Sequence, residues 1–292
     1  MLAVGRGRCR SRSNAFNDNG VVYDREQQGN PYDELSLAPI ALISLEHPGV
    51  RGNHSAFQVT AMPCVSVVIA VYNGEDYLAE ALTSVFSQSR PPDEVIVVDD
   101  GSTDRSGTIA SAFAGVRCLR QANAGQAAAL NAGVAASRGD FLAFVDADDR
   151  WVPDKLALQL AAANQEPELE VVFGYARQFF EGRAAIAAPV APRPLPARLV
   201  SAMLVRRRTW FRVGPMSSEW AVGSIIDWCA RADDLRVRTK MLDVVVYERR
   251  VHGRNLGLTH PESRRDYARV LKRVLDRRRA LDHGPAKGSA DD

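Results

Sequence analysis

The sequence predicts an α/β fold with a mostly parallel sheet flanked by helices. Residues 64–73 and 94–102 are continuous β-branched runs that end in turn residues, which is typical of strands buried on both faces. Residues 75–88 follow the first run and place apolar side chains on one helical face. Strands and helices that alternate at this spacing favour βαβ units, and βαβ units build a parallel sheet.

The same alternation predicts the remaining elements in chain order. Helices are predicted at 103–114, 125–137 and 154–165, with strands at 116–121, 141–149 and 170–180. Four prolines between residues 189 and 196 predict an extended loop, because proline disfavours the helix interior. After this loop the sequence predicts a short strand at 201–205, a helix around 227–234 and a strand at 237–251.

The two ends of the chain differ from this central pattern. Residues 1–62 show no sustained periodicity, so we predict a poorly ordered extension before a main domain at 63–260. Residues 261–284 predict a basic amphipathic helix, and residues 285–292 predict a disordered tail.

Composition restricts the class of protein. A hydrophobic content of 46% and a charged content of 25% are ordinary for a soluble globular domain. The net charge of +2 gives no bulk attraction to nucleic acid, so we expect no nucleic-acid partner. The four cysteines lie far apart without a CxxC pair, which indicates neither a zinc site nor a disulfide framework and favours a cytoplasmic protein. No stretch approaches the roughly 20 apolar residues of a membrane-spanning helix.

Polar side chains follow three of the predicted strands, at Tyr72–Asn73, Asp99–Asp100 and Asp146–Asp149. The carboxyl ends of parallel strands meet at one edge of a sheet, where ligands bind in open α/β folds. One such cluster alone is typical of a solvated loop or a helix cap. Three clusters together, each directly after a buried run, favour a shared binding site.

The acidic cluster predicts a divalent cation. Asp146, Asp148 and Asp149 repel one another, and a bound cation offsets that repulsion. Mg²⁺ and Mn²⁺ prefer carboxylate oxygens and keep coordination positions open for phosphate. The sequence contains neither the GxGxxG fingerprint of dinucleotide binding nor the GxxxxGK[ST] P-loop. Metal-assisted departure of a nucleotide diphosphate fits the acidic spacing.

Four stretches together resemble the family 2 glycosyltransferases, which have the GT-A fold. They are residues 65–88, 94–104, 121–149 and 145–156, and the similarity continues in order to about residue 257. The resemblance implies a GT-A catalytic domain at 63–260. It also implies an enzyme, a glycosyltransferase of the hexosyltransferase type, that uses a nucleotide-diphosphate sugar.

The resemblance implies a donor site at the edge of the sheet. Tyr72 would pack on the base and Asp100 would form a hydrogen bond to it. Asp146 and Asp148 match the D-x-D motif of the family, which contacts the ribose and the metal-bridged diphosphate, and Asp149 would support the loop. The other donor-site residues implied by the resemblance are Ala70, Asn73, Asn123, Gln126 and Ala147.

The resemblance also implies functional residues in the C-terminal third. Asp227 is the candidate catalytic base, with Ile226 at the position where the family has glutamate. The alternative is that Asp227 caps a helix. His252 would join Asp146 and Asp148 at the metal or would contact the diphosphate, and Arg250 would pair with phosphate. A structural role for His252 or for Arg250 stays open.

We predict an inverting, non-processive and metal-dependent transfer from a nucleotide sugar to an acceptor hydroxyl, with Mn²⁺ or Mg²⁺ as the cofactor. The acceptor is a glycan, a lipid-linked sugar or a peptide. Leu130 stands where many members of the family have arginine, so a UDP-sugar is not implied. Two alternatives stay open. One is a sugar-phosphate nucleotidylyltransferase, although residues 70–77 contain only one glycine, and the other is a non-catalytic protein that binds nucleotide sugars.

The predicted helix at 261–284 combines an apolar stripe with basic faces. The stripe comprises Tyr267, Val270, Leu271, Val274, Leu275 and Leu281. Docking of the stripe on the catalytic domain is the interpretation that we favour. The alternative is contact with an anionic membrane surface, which would place a cytoplasmic protein at the inner face of the membrane.

Overall fold

The computed structural model describes residues 62–181, 193–255 and 264–282. The predictions for residues 1–61, for residues 189–192 of the proline-rich loop and for the tail at 285–292 lie outside these residues. The described part of that loop contains a short strand at Leu195–Ala197, which the sequence did not predict. From Pro63 onward the chain forms one compact unit.

Nine strands in the described residues form one sheet. They are β1 (Val65–Val71), β2 (Glu94–Asp99), β3 (Val116–Arg120), β4 (Phe141–Phe144), β5 (Arg150–Trp151), β6 (Val171–Phe180), β7 (Leu195–Ala197), β8 (Leu204–Arg206) and β9 (Thr239–Val251). The helices are α1 (Leu78–Phe86), α2 (Ser106–Ala112), α3 (Gln126–Ala136), α4 (Lys155–Gln165), α5 (Arg207–Val213), α6 (Ser224–Asp234) and α7 (Arg264–Asp282), with a 3₁₀ turn at Val200–Ala202. The predicted alternation of strands and helices is confirmed as far as α4.

The sheet divides into a parallel part and a mixed part. The parallel part has the order β3-β2-β1-β4, and each neighbouring pair runs in the same direction. Beyond β4 the order is β8-β6-β9-β5, in which β6 and β9 are parallel and the other neighbours are antiparallel. The short β7 also pairs antiparallel with β6. The expected parallel arrangement therefore applies to the N-terminal part, whereas antiparallel pairing, which needs no long crossover, joins the short strands of the C-terminal part.

The parallel part brings the three polar strand ends to one edge. Val71 at the end of β1 is in register with Asp99 at the end of β2. The Asp100 N–H donates to the Val71 carbonyl at 2.8 Å, which keeps the first two strand ends together. β4 pairs in parallel with the other side of β1. Residues 72–73 and 145–149 therefore follow their strands at the same edge as Asp100.

Helices α2 and α3 pack on the parallel part, whereas α4 packs on β6 and β9 of the mixed part. Helix α3 approaches the sheet closely. Gly133 lies in the middle of α3, where a β-carbon would lie 2.3 Å from Val68 Cγ1 and 3.2 Å from Val98 Cγ2. Glycine permits this approach because it has no side chain. The close packing fixes the position of α3, and therefore of Gln126 at its first residue.

The mixed part carries α5, which the sequence did not predict. Trp210 of α5 is buried, and its ring centroid lies 5.2 Å from that of Phe144 and 5.4 Å from that of Trp228 in α6. The three rings connect the end of β4 to α6 through the core. A helix of only seven residues has too few turns for a clear apolar period, so its sequence gave little signal.

The C-terminal helix α7 docks on α6, which is the arrangement that we favoured from the sequence. Val270 and Val274 are buried against Ala230 of α6. The large apolar side chains that α7 leaves exposed are Tyr267, Leu271 and Leu275. Within the residues that the structure describes, no helix has both the length and the apolar character needed to cross a membrane.

Candidate active site

The loop after β4 carries the three neighbouring aspartates. The Asp149 N–H donates to the Asp146 carbonyl at 3.0 Å, which closes a tight turn. Asp149 is buried, and its Oδ1 accepts a hydrogen bond from the Arg250 N–H of β9 at 2.9 Å. Asp146 and Asp148 remain partly exposed. Asp149 therefore connects the loop to β9, whereas the other two carboxylates stay accessible to a ligand.

Burial and crowding change the protonation of this loop. Burial, and next the charge of Asp148, raise the pKa of Asp146 to about 6. Burial, followed by the charges of Asp146 and Asp148, raises the pKa of Asp149 well above its usual range. A cation bound at the loop would offset this repulsion, because it favours the ionised form of each carboxyl.

Two neutral donors orient the Asp146 carboxylate. Gln126 Nε2, at the start of α3, donates to Asp146 Oδ1 at 2.7 Å. Ser201 Oγ donates to Asp146 Oδ2 at 3.0 Å. Neither donor carries a charge, and each carboxylate oxygen has a second lone pair. Within the described residues the carboxylate is therefore oriented without an ion pair, and the nearby charge of Arg249 only partly opposes the rise in its pKa.

The segment after β9 orients Asp148. His252 Nε2 and Asn255 Nδ2 both lie 3.1 Å from Asp148 Oδ2. The Arg254 N–H donates a hydrogen bond to His252 Nδ1 at 3.2 Å. Because Nδ1 is then the acceptor, a neutral imidazole carries its proton on Nε2. In this tautomer Nε2 donates to Asp148. A role for His252 as a metal ligand would require the loss of this hydrogen bond, and it stays a prediction.

Arg250 connects the acidic loop to two other segments, the end of β6 and α1. Its side chain is buried, and Nε donates to the Asp148 carbonyl at 2.9 Å. Nη1 pairs with Glu181 at 2.8 Å, and Nη2 pairs with Glu80 of α1. The Phe179 ring centroid lies 4.6 Å from the guanidinium carbon. All three guanidinium nitrogens contact the protein, so Arg250 supports the loop in this arrangement, and its predicted contact with phosphate stays a prediction.

The first strand end supplies an exposed aromatic ring. Tyr72 is 54% exposed at the end of β1, where its ring is accessible to a flat ligand. Asn73 next to it has a φ of 51°, and its Oδ1 accepts a hydrogen bond from the Thr103 N–H at 2.9 Å. Its own N–H donates to Ser102 Oγ at 3.0 Å. Asn73 therefore shapes the turn that presents Tyr72, because asparagine tolerates a left-handed backbone.

The second strand end organises the loop that leads into α3. Asp100 is buried, and its Oδ1 accepts hydrogen bonds from Gln121 Nε2 at 2.8 Å and from the Ala124 N–H at 2.9 Å. Its Oδ2 accepts a hydrogen bond from the Gly125 N–H at 2.8 Å. A contact between Asp100 and a base stays a prediction. The remaining predicted donor-site residues are Ala70 and Ala147, which are partly buried, and Asn123, which is exposed.

Asp227 lies in the first turn of α6 and is 4% exposed. Its Oδ2 accepts a hydrogen bond from Arg231 Nε at 2.9 Å, and its Oδ1 lies 3.1 Å from Arg277 Nη1 of α7. The N-cap of α6 is Gly223, so Asp227 is not the capping residue. The structure gives Asp227 a contact between two helices, and its role as a catalytic base stays a prediction.

Several residues of the site carried no signal in the sequence. Ser201 follows the proline-rich loop and belongs to no motif that we recognised. Glu80 and Glu181 contact Arg250 from positions far away in the chain. Asn255 lies three residues after His252, and only this proximity to the predicted histidine pointed to it.

Comparison with known proteins finds a family model that matches the motif-rich segment. The model of the family described as "Glycosyl transferase family 2" matches residues 66–201. Glycosyltransferase GlyG of Streptococcus pneumoniae serotype 4 is 40% identical over 115 residues, which is 38% of this chain and 38% of that protein. The uncharacterised glycosyltransferase EpsJ of Bacillus subtilis (strain 168) is 36% identical over 115 residues, or 38% of this chain and 33% of that protein. The chain thus spans little more than a third of the length of these relatives.

Two solved structures share the fold. TarS 1–349 of S. aureus, in complex with UDP-GlcNAc, has a TM-score of 0.55 at 21% identity. The alignment covers 65% of this chain and 59% of the TarS chain. The mannosyltransferase PcManGT of Pyrobaculum calidifontis, in complex with GDP-Man and Mn²⁺, has a TM-score of 0.54 at 20% identity. The alignment covers 67% of this chain and 59% of the PcManGT chain. At these identities the likeness concerns the fold.

Proposed function

We propose that this chain transfers a sugar from a nucleotide-diphosphate donor to an acceptor hydroxyl, because the model of glycosyl transferase family 2 matches residues 66–201 and the chain has the GT-A fold. One observation carries the proposal. Asp146 and Asp148 lie at the sheet edge that also presents Tyr72 and Asp100, and neutral donors orient the Asp146 carboxylate. The UDP-GlcNAc and GDP-Man complexes of the two solved neighbours support a nucleotide-sugar donor.

Asp146 and Asp148 would hold Mn²⁺ or Mg²⁺. In the described residues no group of three or more His, Cys, Asp or Glu side chains is arranged to hold a metal ion. This agrees with how Mg²⁺ is usually bound, through one or two carboxylates together with the phosphates of the substrate. When bound, the cation stabilises the charge that develops on the departing diphosphate. The residues fit such an ion, because neutral donors contact both oxygens of Asp146 and no cationic side chain among the described residues forms an ion pair with it. The nearby charge of Arg249 lowers the pKa of Asp146 only in part.

Asp227 is the proposed catalytic base of an inverting, single-addition transfer. It would accept the proton of the acceptor hydroxyl as that oxygen attacks the anomeric carbon from the face opposite the diphosphate. Arg231 and Arg277 contact its two oxygens. To reach an acceptor, Asp227 would have to give up one of these two contacts. Replacement of Asp227 by asparagine, compared with replacement of Arg277, tests this assignment.

Contact with a membrane surface is a further part of the proposal. The docked helix α7 leaves Tyr267, Leu271 and Leu275 exposed at four-residue spacing. The exposed cationic residues of the same helix are Arg265, Arg269, Lys272, Arg273, Arg278 and Arg279. An apolar strip beside basic side chains fits an anionic bilayer surface. Such a position would suit a lipid-linked acceptor.

A nucleotide panel tests the donor class directly. We expect one nucleoside diphosphate to raise the melting temperature of the full chain in the presence of Mn²⁺, and less without it. Saturation at about 100 times the dissociation constant would add about 2.7 kcal/mol of stability. The matching nucleotide sugar should then be hydrolysed slowly in the absence of an acceptor. A binding protein without activity would show the shift but no hydrolysis. If no diphosphate shifts the melting temperature, the transferase proposal is wrong.

A further inference from the structure

Ser201 lies beneath the acidic loop and contacts two of its carboxylates. It is fully buried at the centre of the 3₁₀ turn Val200–Ala202. Its Oγ accepts a hydrogen bond from the Asp146 N–H at 3.0 Å and lies 3.0 Å from Asp146 Oδ2. The same oxygen lies 3.4 Å from Asp149 Oδ2. One hydroxyl therefore contacts both the backbone and the side chain of the first D-x-D aspartate.

The number of hydrogen bonds that the Ser201 hydroxyl can donate and accept indicates its role. Serine has one O–H donor and two acceptor lone pairs. The Asp146 N–H occupies one lone pair, and the shorter of the two carboxylate contacts is the one to Asp146 Oδ2. Donation to Asp146 Oδ2 therefore closes a small ring that fixes the side-chain torsion of Asp146. Gln126, at the start of α3, donates a hydrogen bond to the other carboxylate oxygen, Asp146 Oδ1.

Three side chains keep the turn around Ser201 in place. Trp151 Nε1 donates to the Ser201 carbonyl at 3.2 Å. Gln159 Nε2 donates to the Ala202 carbonyl at 2.8 Å, and Lys155 Nζ contacts the Met203 carbonyl at 3.3 Å. All three donors belong to residues 151–159, directly after the acidic loop, and Lys155 and Gln159 are themselves fully buried. Three consecutive carbonyls are thus satisfied by one rigid segment, so Ser201 has little freedom to move relative to Asp146.

We propose that Ser201 is a positioning residue that fixes the Asp146 carboxylate for a divalent cation. The proposal rests on the proposed function, because it assigns the cation to the D-x-D pair. A carboxylate that is already oriented loses less rotational freedom on binding a metal than a free one. Residues that orient metal ligands in this way typically contribute a factor of roughly 10 to 100 in metal affinity. Ser201 does not contact the substrate, and its contribution is to the geometry of Asp146.

Titration of Mn²⁺ binding tests the proposal without relying on activity. Free Mn²⁺ is measured by electron paramagnetic resonance in the presence of the full chain and the nucleoside diphosphate that stabilises it best. We expect Ser201→Ala to raise the dissociation constant for Mn²⁺ roughly 10-fold to 100-fold. The transfer rate of the variant should recover at high Mn²⁺ concentration, since only the metal affinity is reduced.

A matched variant separates positioning from the loss of a buried hydroxyl. Ser137 is also buried, and its Oγ donates to the Val134 carbonyl at 2.7 Å at the far end of α3. Ser137→Ala should therefore cost similar stability and leave Mn²⁺ binding unchanged. Ser201→Cys keeps nearly the same volume with a weak donor, and it should show the same loss of Mn²⁺ affinity even if Ser201→Ala fails to fold.

The outcomes of the titration are distinct. If the unmodified chain binds Mn²⁺ and both Ser201 variants bind it equally well, the positioning role is wrong while the proposed function stands. If the unmodified chain binds no Mn²⁺ with any nucleoside diphosphate, both are overturned. Weaker binding in both Ser201 variants, together with normal binding in Ser137→Ala, supports the positioning role.

Discussion

The two parts of the sheet position their functional side chains by different physical means. At the edge of the parallel part, neutral donors and backbone N–H groups orient Asp100 and Asp146. In the mixed part, ion pairs position the corresponding groups, as Asp227 between Arg231 and Arg277 shows. The first arrangement leaves negative charge available to a ligand, whereas the second neutralises it within the protein.

This difference predicts opposite responses to the same chemical change. A carboxylate that is oriented by neutral donors is repelled by its acidic neighbours, and its charge reduces the stability of the fold. A carboxylate between two guanidinium groups compensates cations that would otherwise be partly buried and unpaired. Replacing aspartate by asparagine in each part therefore distinguishes a ligand site from a structural contact.

The largest expected effect is that of Asp146→Asn, which should reduce transfer by on the order of 10²–10³-fold, the scale of losing one preorganised electrostatic group. The fold should not suffer. Gln126 and Ser201 can both rotate to accept the amide N–H groups, because each offers a donor and an acceptor. Initial rates and melting temperatures at pH 7 measure the two effects. A stable variant with full activity would remove Asp146 from the proposed donor site.

The pH dependence gives the sign of the stability effect. The pKa of Asp146 is raised from the usual 3.8 to about 6 in the folded protein. Between these two values the folded state binds more protons than the unfolded state, so this group lowers stability as the pH rises through that window. In metal-free protein, Asp146→Asn should therefore flatten the decline in melting temperature between about pH 4 and pH 6. An unchanged pH profile would contradict the raised pKa.

The next effect is that of Asp227→Asn, which should reduce both activity and stability. We expect a loss of about 100-fold in transfer, the lower end of the contribution of a general base. The variant should also lose about 3 kcal/mol of folding free energy, because it removes the carboxylate that pairs with Arg231 and with Arg277, although Arg277 keeps its pair with Asp234. Chemical denaturation and initial rates measure the two losses separately.

Arg277→Gln is the matched control for Asp227. It removes the ion pairs of Arg277 with Asp227 and Asp234, keeps the apolar packing of α7 on α6, and leaves Asp227 paired with Arg231. We expect a loss of about 1 kcal/mol in stability with the transfer rate retained. If Arg277→Gln and Asp227→Asn reduce transfer equally, the role of Asp227 is to dock α7, and the base must be sought elsewhere.

A third comparison lies within the ion pairs of the mixed part. Arg250 and Arg150 both pair with Glu80 and both contact the Phe179 ring, but only Arg250 is buried. Arg250→Lys keeps the charge and loses the planar fork that reaches Asp148, so we expect a loss of about 3 kcal/mol. Arg150→Lys should cost less than about 1 kcal/mol, because its pairs are more exposed. Equal costs in denaturant unfolding would show that burial does not determine the strength of these contacts.

The sequence predicted most elements of both parts, including β6, α6 and β9, but not the order and direction in which the strands of the mixed part pair, for a physical reason. Buried runs followed by polar residues are local patterns, so the polar strand ends at Tyr72, Asp100 and Asp146 could be predicted from the sequence. The partners of Arg250 lie 170 residues away at Glu80 and 69 residues away at Glu181. A contact between distant residues leaves no local period in the sequence, and only the fold brings the residues together.

The smallest expected effect concerns the exposed face of α7. Leu271 and Leu275 are each 52% exposed, so the double change Leu271→Glu with Leu275→Glu should leave the docked face intact. The full chain should co-sediment with vesicles that contain an anionic phospholipid at low salt, and the double variant should stay in the supernatant. The attraction should weaken at physiological salt, because each basic residue contributes only about 1 kcal/mol near such a surface and salt screens it.

Leu158→Glu, a change at the 40% exposed Leu158 of α4, controls for a general effect of added negative charge. A full chain that does not sediment at low salt would contradict membrane contact, and dimers that the double variant abolishes would identify a second copy as the partner of this face.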